Sequence, residues 1–196
     1  FLCGEDRHSG QSFEHRRQWV EDRLHFLAET FSVSIWSYAV MSNHLHVIVQ
    51  VLPDVASQWS DHEVAERWVR LFPREDMNPE LRAEMLAMHA ERMALLRSRL
   101  ADLSWFMRCL SESIARRANK EDSCTGRFWE GRFKSQALLD DSAVLAAMAY
   151  VDLNPVRAGI AGNVETSDHT SVQARVTALR DAPEKANEPL RPIVGL

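Results

Sequence analysis

From Val33 to Val49 the chain reads as two short β-strands set back to back. Val33, Ile35, Ser37 and Ala39 alternate with Ser34, Trp36, Tyr38 and Val40, Met41-Ser42-Asn43 interrupts, and His44, Leu45, His46, Val47, Ile48 and Val49 follow. Successive side chains of a strand point to opposite faces, and Ser-Asn is turn-forming, so the stretch predicts adjacent strands joined by a tight polar turn at Ser42-Asn43. Upstream, Trp19, Val20, Leu24, Leu27, Ala28 and Phe31 recur at helical spacing, which predicts an amphipathic helix from about Phe13 to Phe31.

The texture changes from Leu52 to about Ala101. Pro53, Pro73 and Pro79 punctuate a polar stretch containing Trp59 and Trp68, and a helix-like run from Pro79 to Leu100 carries Leu81, Met85, Met88, Met93, Leu96 and Leu100. We read residues 53–101 as a helical insertion whose methionines pack an irregular helix interface. A helix is predicted from Leu103 to about Asn119, then a loop over Ser123–Gly131 and an alternating strand over Arg132–Leu139. Asp140-Asp141-Ser142 caps a last strong helix, which Asn154-Pro155 is expected to stop. Residues 1–161 then form the domain, and the proline-punctuated residues 162–196, with only a weak pattern from Val172 to Leu179, are expected to be a peripheral tail.

The 196 residues, 45% apolar and 26% charged, suffice for one domain with a core, which excludes a disordered tail or a mini-protein. No apolar run approaches the roughly 18 residues of a membrane span, so a soluble chain is expected. Cys3, Cys109 and Cys124 lack CxxC spacing, which argues against a disulfide framework or a structural zinc and for a reducing cytoplasm. The chain starts at Phe1 without a basic-then-apolar leader and reads as a fragment lacking a secretory signal.

A net charge of −5 argues against nucleic acid if only the sum is read. Its distribution says more: 20 of the 23 basic residues are arginine, the planar fork that suits phosphate. Between Ser104 and Lys134, Arg108, Arg116, Arg117, Lys120, Arg127, Arg132 and Lys134 outnumber Glu112, Glu121, Asp122 and Glu130, leaving a local +3 in an acidic chain. That is the footprint of a polyanion-binding face, or of a solvated surface.

Two constellations carry chemistry. His44 and His46, two residues apart on a strand, project from one face with Leu45 on the other, and two imidazoles so placed can share a divalent cation. The remaining histidines, His8, His15, His25, His62, His89 and His169, lack such context and are expected on the surface. Tyr150 and Asn154, four apart, share one helix face, where a nucleophile and an oxygen ligand can address one phosphate. The bland alternative makes Tyr150 a packed aromatic and Asn154 a helix C-cap. Scarcity favours the first reading, because Tyr38 is the only other tyrosine and lies on a strand.

His44-Leu45-His46, then Gly126-Arg127-Phe128-Trp129-Glu130-Gly131-Arg132-Phe133-Lys134, then Tyr150 through Gly159 resemble, in that order, the single-tyrosine HUH transposases of small insertion sequences. The similarity spans roughly Gln11 to Ala161 and is closest to the REP-associated tyrosine transposases. It implies an α+β fold, a ferredoxin-like antiparallel sheet with packed helices, the histidines on a central strand and the tyrosine helix across the active face. It also implies an upstream strand absent from this chain, which puts the activity of the fragment itself in doubt. By analogy, His44, His46 and the Asn154 amide oxygen hold Mg²⁺ or Mn²⁺, and Tyr150 attacks a phosphodiester of single-stranded or hairpin DNA to give a 5′-phosphotyrosine link and a free 3′-hydroxyl. Arg108, Arg116, Arg117, Arg127, Arg132, Lys134 and Arg157 would neutralise the DNA backbone. Trp129 and Phe128 either offer faces to unstacked bases or pack under a loop. The implied setting is the bacterial cytoplasm at the nucleoid, with a monomer or a homodimer acting. Two other readings compete: a hairpin-binding protein that does not cut, and a phosphodiesterase that uses the histidines with water and leaves Tyr150 dispensable.

Overall fold

The structure, a computed structural model, describes residues 2–6, 9–187 and 190–195. It is α+β, built on an antiparallel three-stranded open sheet of order β2-β1-β3, with β1 at Val33–Val40, β2 at Leu45–Val51 and β3 at Val194–Gly195. The predicted hairpin is present, closed by the Met41 amide donating to the His44 carbonyl at 2.9 Å. Helix α1, Arg16–Thr30, packs against β1 and presents Val20, Leu24, Leu27 and Ala28 to the core.

The even alternation read along β1 breaks at Trp36, where a bulge shifts the register between Ile35↔Val49 and Ser37↔Ile48. One extra residue on one strand reverses which side chains face which way. Val33 and Ile35 face the main core and so do Tyr38 and Val40, whereas Ala39 and Met41 join a second cluster with Val151 and Ile48. The sheet thus has two covered faces. Behind it lie α1, the insertion and α6, Leu103–Glu121, whose Phe106, Leu110 and Ile114 are buried. In front lies α7, Asp141–Arg157, packed on β1 and β2.

Residues 53–101 are helical: α2, Pro53–Gln58; α3, Asp61–Leu71; α4, Pro79–Ala87; and α5, Ala90–Leu100. Ser60 and Glu63 form a reciprocal capping box that starts α3, and Asn78 with Pro79 starts α4. The single run expected from Pro79 to Leu100 is two helices meeting at Met88-His89. Of its methionines Met93 is buried, but Met85 and Met88 stand exposed instead of packing an interface.

Two further expectations are corrected. Arg132–Leu139 forms no strand; it is an exposed irregular segment, because alternation supplies a face but not a pairing partner. Pro155 does not stop α7, which runs on to Arg157. The helix ends in a Schellman turn: Gly159, at φ +68°, donates to the Val156 carbonyl at 3.0 Å, and Ile160 donates to that of Pro155 at 2.9 Å.

The C-terminal residues, expected to be peripheral, are bound into the sheet. Thr170 caps α8, Ser171–Asp181, and Ser167, Thr170 and Ser171 are buried. Thr170 bridges to Ala39, and β3 pairs with Ser34 and Ile35 of β1.

Candidate active site

The site assembles where the β1–β2 hairpin meets α7. His44 ends the turn and His46 lies one pleat further along β2, so both imidazoles stand on the α7 side while Leu45 packs on the opposite core. Their Nε2 atoms are 3.0 Å apart. The neighbouring Asn43 places its Oδ1 2.7 Å from His44 Nδ1. Because Oδ1 only accepts, the His44 nitrogen facing it is an Nδ1–H donor, which leaves Nε2 directed at His46, the arrangement by which a hydrogen-bonded partner fixes the tautomer of a metal-binding imidazole. Burial, and secondarily positive charge on His44, push His46 below its ordinary value of 6.5, which favours the neutral, lone-pair-bearing form.

These donors fit a small divalent cation. Two nitrogens each about 2.1 Å from one ion and at right angles lie about 3.0 Å apart. The imidazoles match that span. Among the described residues no cluster of three or more His, Cys, Asp or Glu that could hold a metal ion forms.

Tyr150 lies against this pair. Its ring meets that of His46 edge to face, with centroids 5.5 Å apart, and the side chain remains 50% exposed. That exposure removes the reading of Tyr150 as a packed core aromatic. The Arg157 guanidinium, two turns on, is 5.9 Å from the Tyr150 ring centroid. Asn154 shares their face of α7 and is half-buried within the helix, not a C-cap. Among the described residues its side chain makes no hydrogen bond to either imidazole.

Below this face Met148, Val151 and Pro155 are buried toward the sheet. On the far shoulder Asp152 Oδ1 accepts from Ser37 Oγ at 2.9 Å and from Ser171 Oγ at 3.2 Å. Sequence reading passed over Asn43, Asp152, Ser37 and Ser171. Adjacency to the histidine pair marks Asn43, but only the bulge and the docking of α8 reveal the serines.

The basic island divides. Arg108, Arg116 and Arg117 lie on α6, in the layer behind the sheet and away from Tyr150. Arg108 and Arg116 both pair with Glu112, and Arg117 stacks on Trp19 at 3.9 Å. Trp129 donates its indole N–H to the Ser111 carbonyl at 2.8 Å and packs with Phe128 against the rear core, which favours packing over base stacking. Arg127 reaches the Glu130 carbonyl at 3.3 Å. Arg132 and Lys134, on the exposed segment leading to α7, have no ion-pair partner among the described residues.

Of the other histidines His15, His62 and His89 lie on the surface as expected, whereas His25 and His169 are partly buried. His169 Nδ1 lies 2.8 Å from Glu21, His25 packs edge-on to Tyr38 with its Nε2 buried, His15 pairs with Glu121 and His62 lies near Glu66. His89 is exposed, and His8 lies outside the described residues. No helix among the described residues is long and apolar enough to cross a membrane. Set against models of known protein families, curated proteins and solved structures, the chain matches none.

Proposed function

We propose that the protein is a metal-dependent single-stranded DNA transesterase of the tyrosine HUH type, acting on hairpin-associated DNA with Mg²⁺ or Mn²⁺. The observation that carries the reading is the exposed Tyr150 ring set on His46, whose Nε2 lies 3.0 Å from that of His44. A nucleophilic side chain beside a pair of convergent imidazoles is the minimum a phosphoryl-transfer site of this type needs.

His44 and His46, with the Asn154 amide oxygen, would hold the cation, which when bound polarises the phosphoryl oxygens and neutralises their developing charge. Tyr150 Oη attacks the phosphorus in line. The P–O3′ bond breaks, leaving a 5′-phosphotyrosine and a 3′-hydroxyl, and reversal of the same step joins strands without ATP. Arg157 supplies positive charge beside the attacking ring. Arg132 and Lys134, on the approach to α7 and without an ion-pair partner among the described residues, are suited to hold the backbone flanking the scissile phosphate. The α6 arginines reach only DNA that wraps round to the rear of the sheet. In this reading the protein works at the bacterial nucleoid, as a monomer or homodimer.

The test is a denaturing gel of protein incubated with labelled hairpin DNA and Mn²⁺. An SDS-resistant adduct, formed by the wild type and absent with Tyr150→Phe or without metal, is expected. Cleavage retained by Tyr150→Phe would replace the proposal with water-based phosphodiester hydrolysis. Tight binding without any adduct would replace it with a non-cleaving hairpin binder.

A further inference from the structure

The three inward positions of α7 leave the helix two shoulders. At 100° per residue, Met148, Val151 and Pro155 point at the sheet, Tyr150 and Asn154 fall on one shoulder, and Asp152 falls on the other. A helix seated on a sheet only by apolar contacts can roll about its own axis, since burial has no directional preference. Here one group opposes that roll. Asp152 Oδ1 accepts from Ser37 on β1 and from Ser171 in the first turn of α8, both serines being fully buried. Ser171 Oγ in turn receives the Tyr38 amide proton at 3.0 Å and lies 3.0 Å from Ser37 Oγ. One carboxylate therefore ties three elements together, and charge-assisted bonds are the stronger and more directional kind. Ser37 faces this way only because of the bulge at Trp36. The α8 helix is held in place by the Thr170 to Ala39 bridge and by the Val40 amide donating to the His169 carbonyl at 3.3 Å.

We infer that Asp152 is a positioning residue for Tyr150, and that the C-terminal segment serves the site through Ser171, the two fixing the roll of α7 so that the phenol is held over His46. The inference rests on the proposed transesterase reading for its catalytic consequence, but not for its geometry. A roll that moves the phenol by about 1 Å costs on the order of 10²-fold in rate.

Two readouts test it. By NMR, cross-relaxation between the Tyr150 and His46 ring protons, 5.5 Å apart between centroids in the wild type, is expected to weaken or vanish in Asp152→Ala. The His44–His46 contacts, within one hairpin, should persist. Ser171→Ala, which keeps the Asp152 to Ser37 bond, should show a partial loss and guards against failure of the first variant to fold. In the gel assay with hairpin DNA and Mn²⁺, Asp152→Ala is expected to form adduct about 10²-fold more slowly with unchanged hairpin affinity. Asp152→Asn, whose Oδ1 still accepts from both serines, should recover most of that rate. Unchanged Tyr150 to His46 cross-relaxation in folded Asp152→Ala and in Ser171→Ala overturns the inference. Absence of adduct in the wild type counts against the transesterase reading alone, because the ring contact still reports on the anchor.

Discussion

Arg17 is the residue through which α1 controls the histidine turn, and Arg17→Met isolates that role. The guanidinium is buried; its Nη1 donates to the Val40 carbonyl at the end of β1, its Nε to Glu14 and its Nη2 to Ser42 Oγ at 3.3 Å. Methionine keeps the apolar stem and removes every donor. The Val40 carbonyl, on a residue 1% exposed, is then left without this partner, which costs about 1–3 kcal/mol. Glu14 is 53% exposed at its side chain, so losing that ion pair adds at most about 1 kcal/mol, and the long Ser42 contact adds less. The expected loss is about 1–4 kcal/mol, or roughly 2–16 °C in Tm for a chain of this size. Urea unfolding with an unchanged m-value measures it. Because Ser42 and Val40 bracket the turn that delivers His44, Co²⁺ affinity, followed by visible absorption, should fall as well. A loss below about 0.5 kcal/mol with full Co²⁺ affinity would show that the hairpin holds its shape without α1 and would refute the argument.

Gly195→Ala should release β3: the added Cβ would lie 2.4 Å from the Val33 carbonyl oxygen at a backbone φ of +103°, so a loss of about 1–3 kcal/mol is expected in urea unfolding, and stabilisation would exclude the β1–β3 pairing. Glu21 is raised by burial but lowered further by its hydrogen bonds to His169 and Tyr38, ending below 4.5. Its contribution is therefore present above pH 4.5 and lost as pH falls through the lower folded value, so urea midpoints should drop in that range and Glu21→Gln should flatten the drop. Trp129→Leu should lower Tm by a few degrees through the lost bond to Ser111 yet leave hairpin affinity within about twofold. A fall of tenfold or more, the scale of one lost base stack, would return the ring to nucleic acid.

What local signals can specify, the sequence specified well. The hairpin, the α1 stripe and the Asp140 cap of α7 are all visible in a few neighbouring residues, and all are present. The capping box at Ser60 is equally local, a serine followed three residues later by glutamate. Pro155 misled because a missing amide removes only one bond near a helix end, whereas the stop signal was Gly159, which takes the positive φ of the Schellman turn. The seating of α8 and β3 was illegible for a different reason. Both depend on an open flank of β1, which no pattern within residues 162–196 announces.

The candidate site shows the same division more sharply. His44, His46 and Tyr150 stood out by type and spacing, and the fold brings the three rings together from elements more than 100 residues apart in sequence. Their support did not stand out, since nothing in Val33–Val40 reveals that Trp36 is the extra residue of a bulge. Without that bulge Ser37 would turn to the rear core and Ala39 with it, leaving Asp152 a carboxylate without Ser37 and α7 without its apolar seat on Ala39. A single register shift on β1 thus sets the roll of a helix on the far side of the chain. Residue types name the candidate chemistry here, and the irregularity of one strand decides whether they meet.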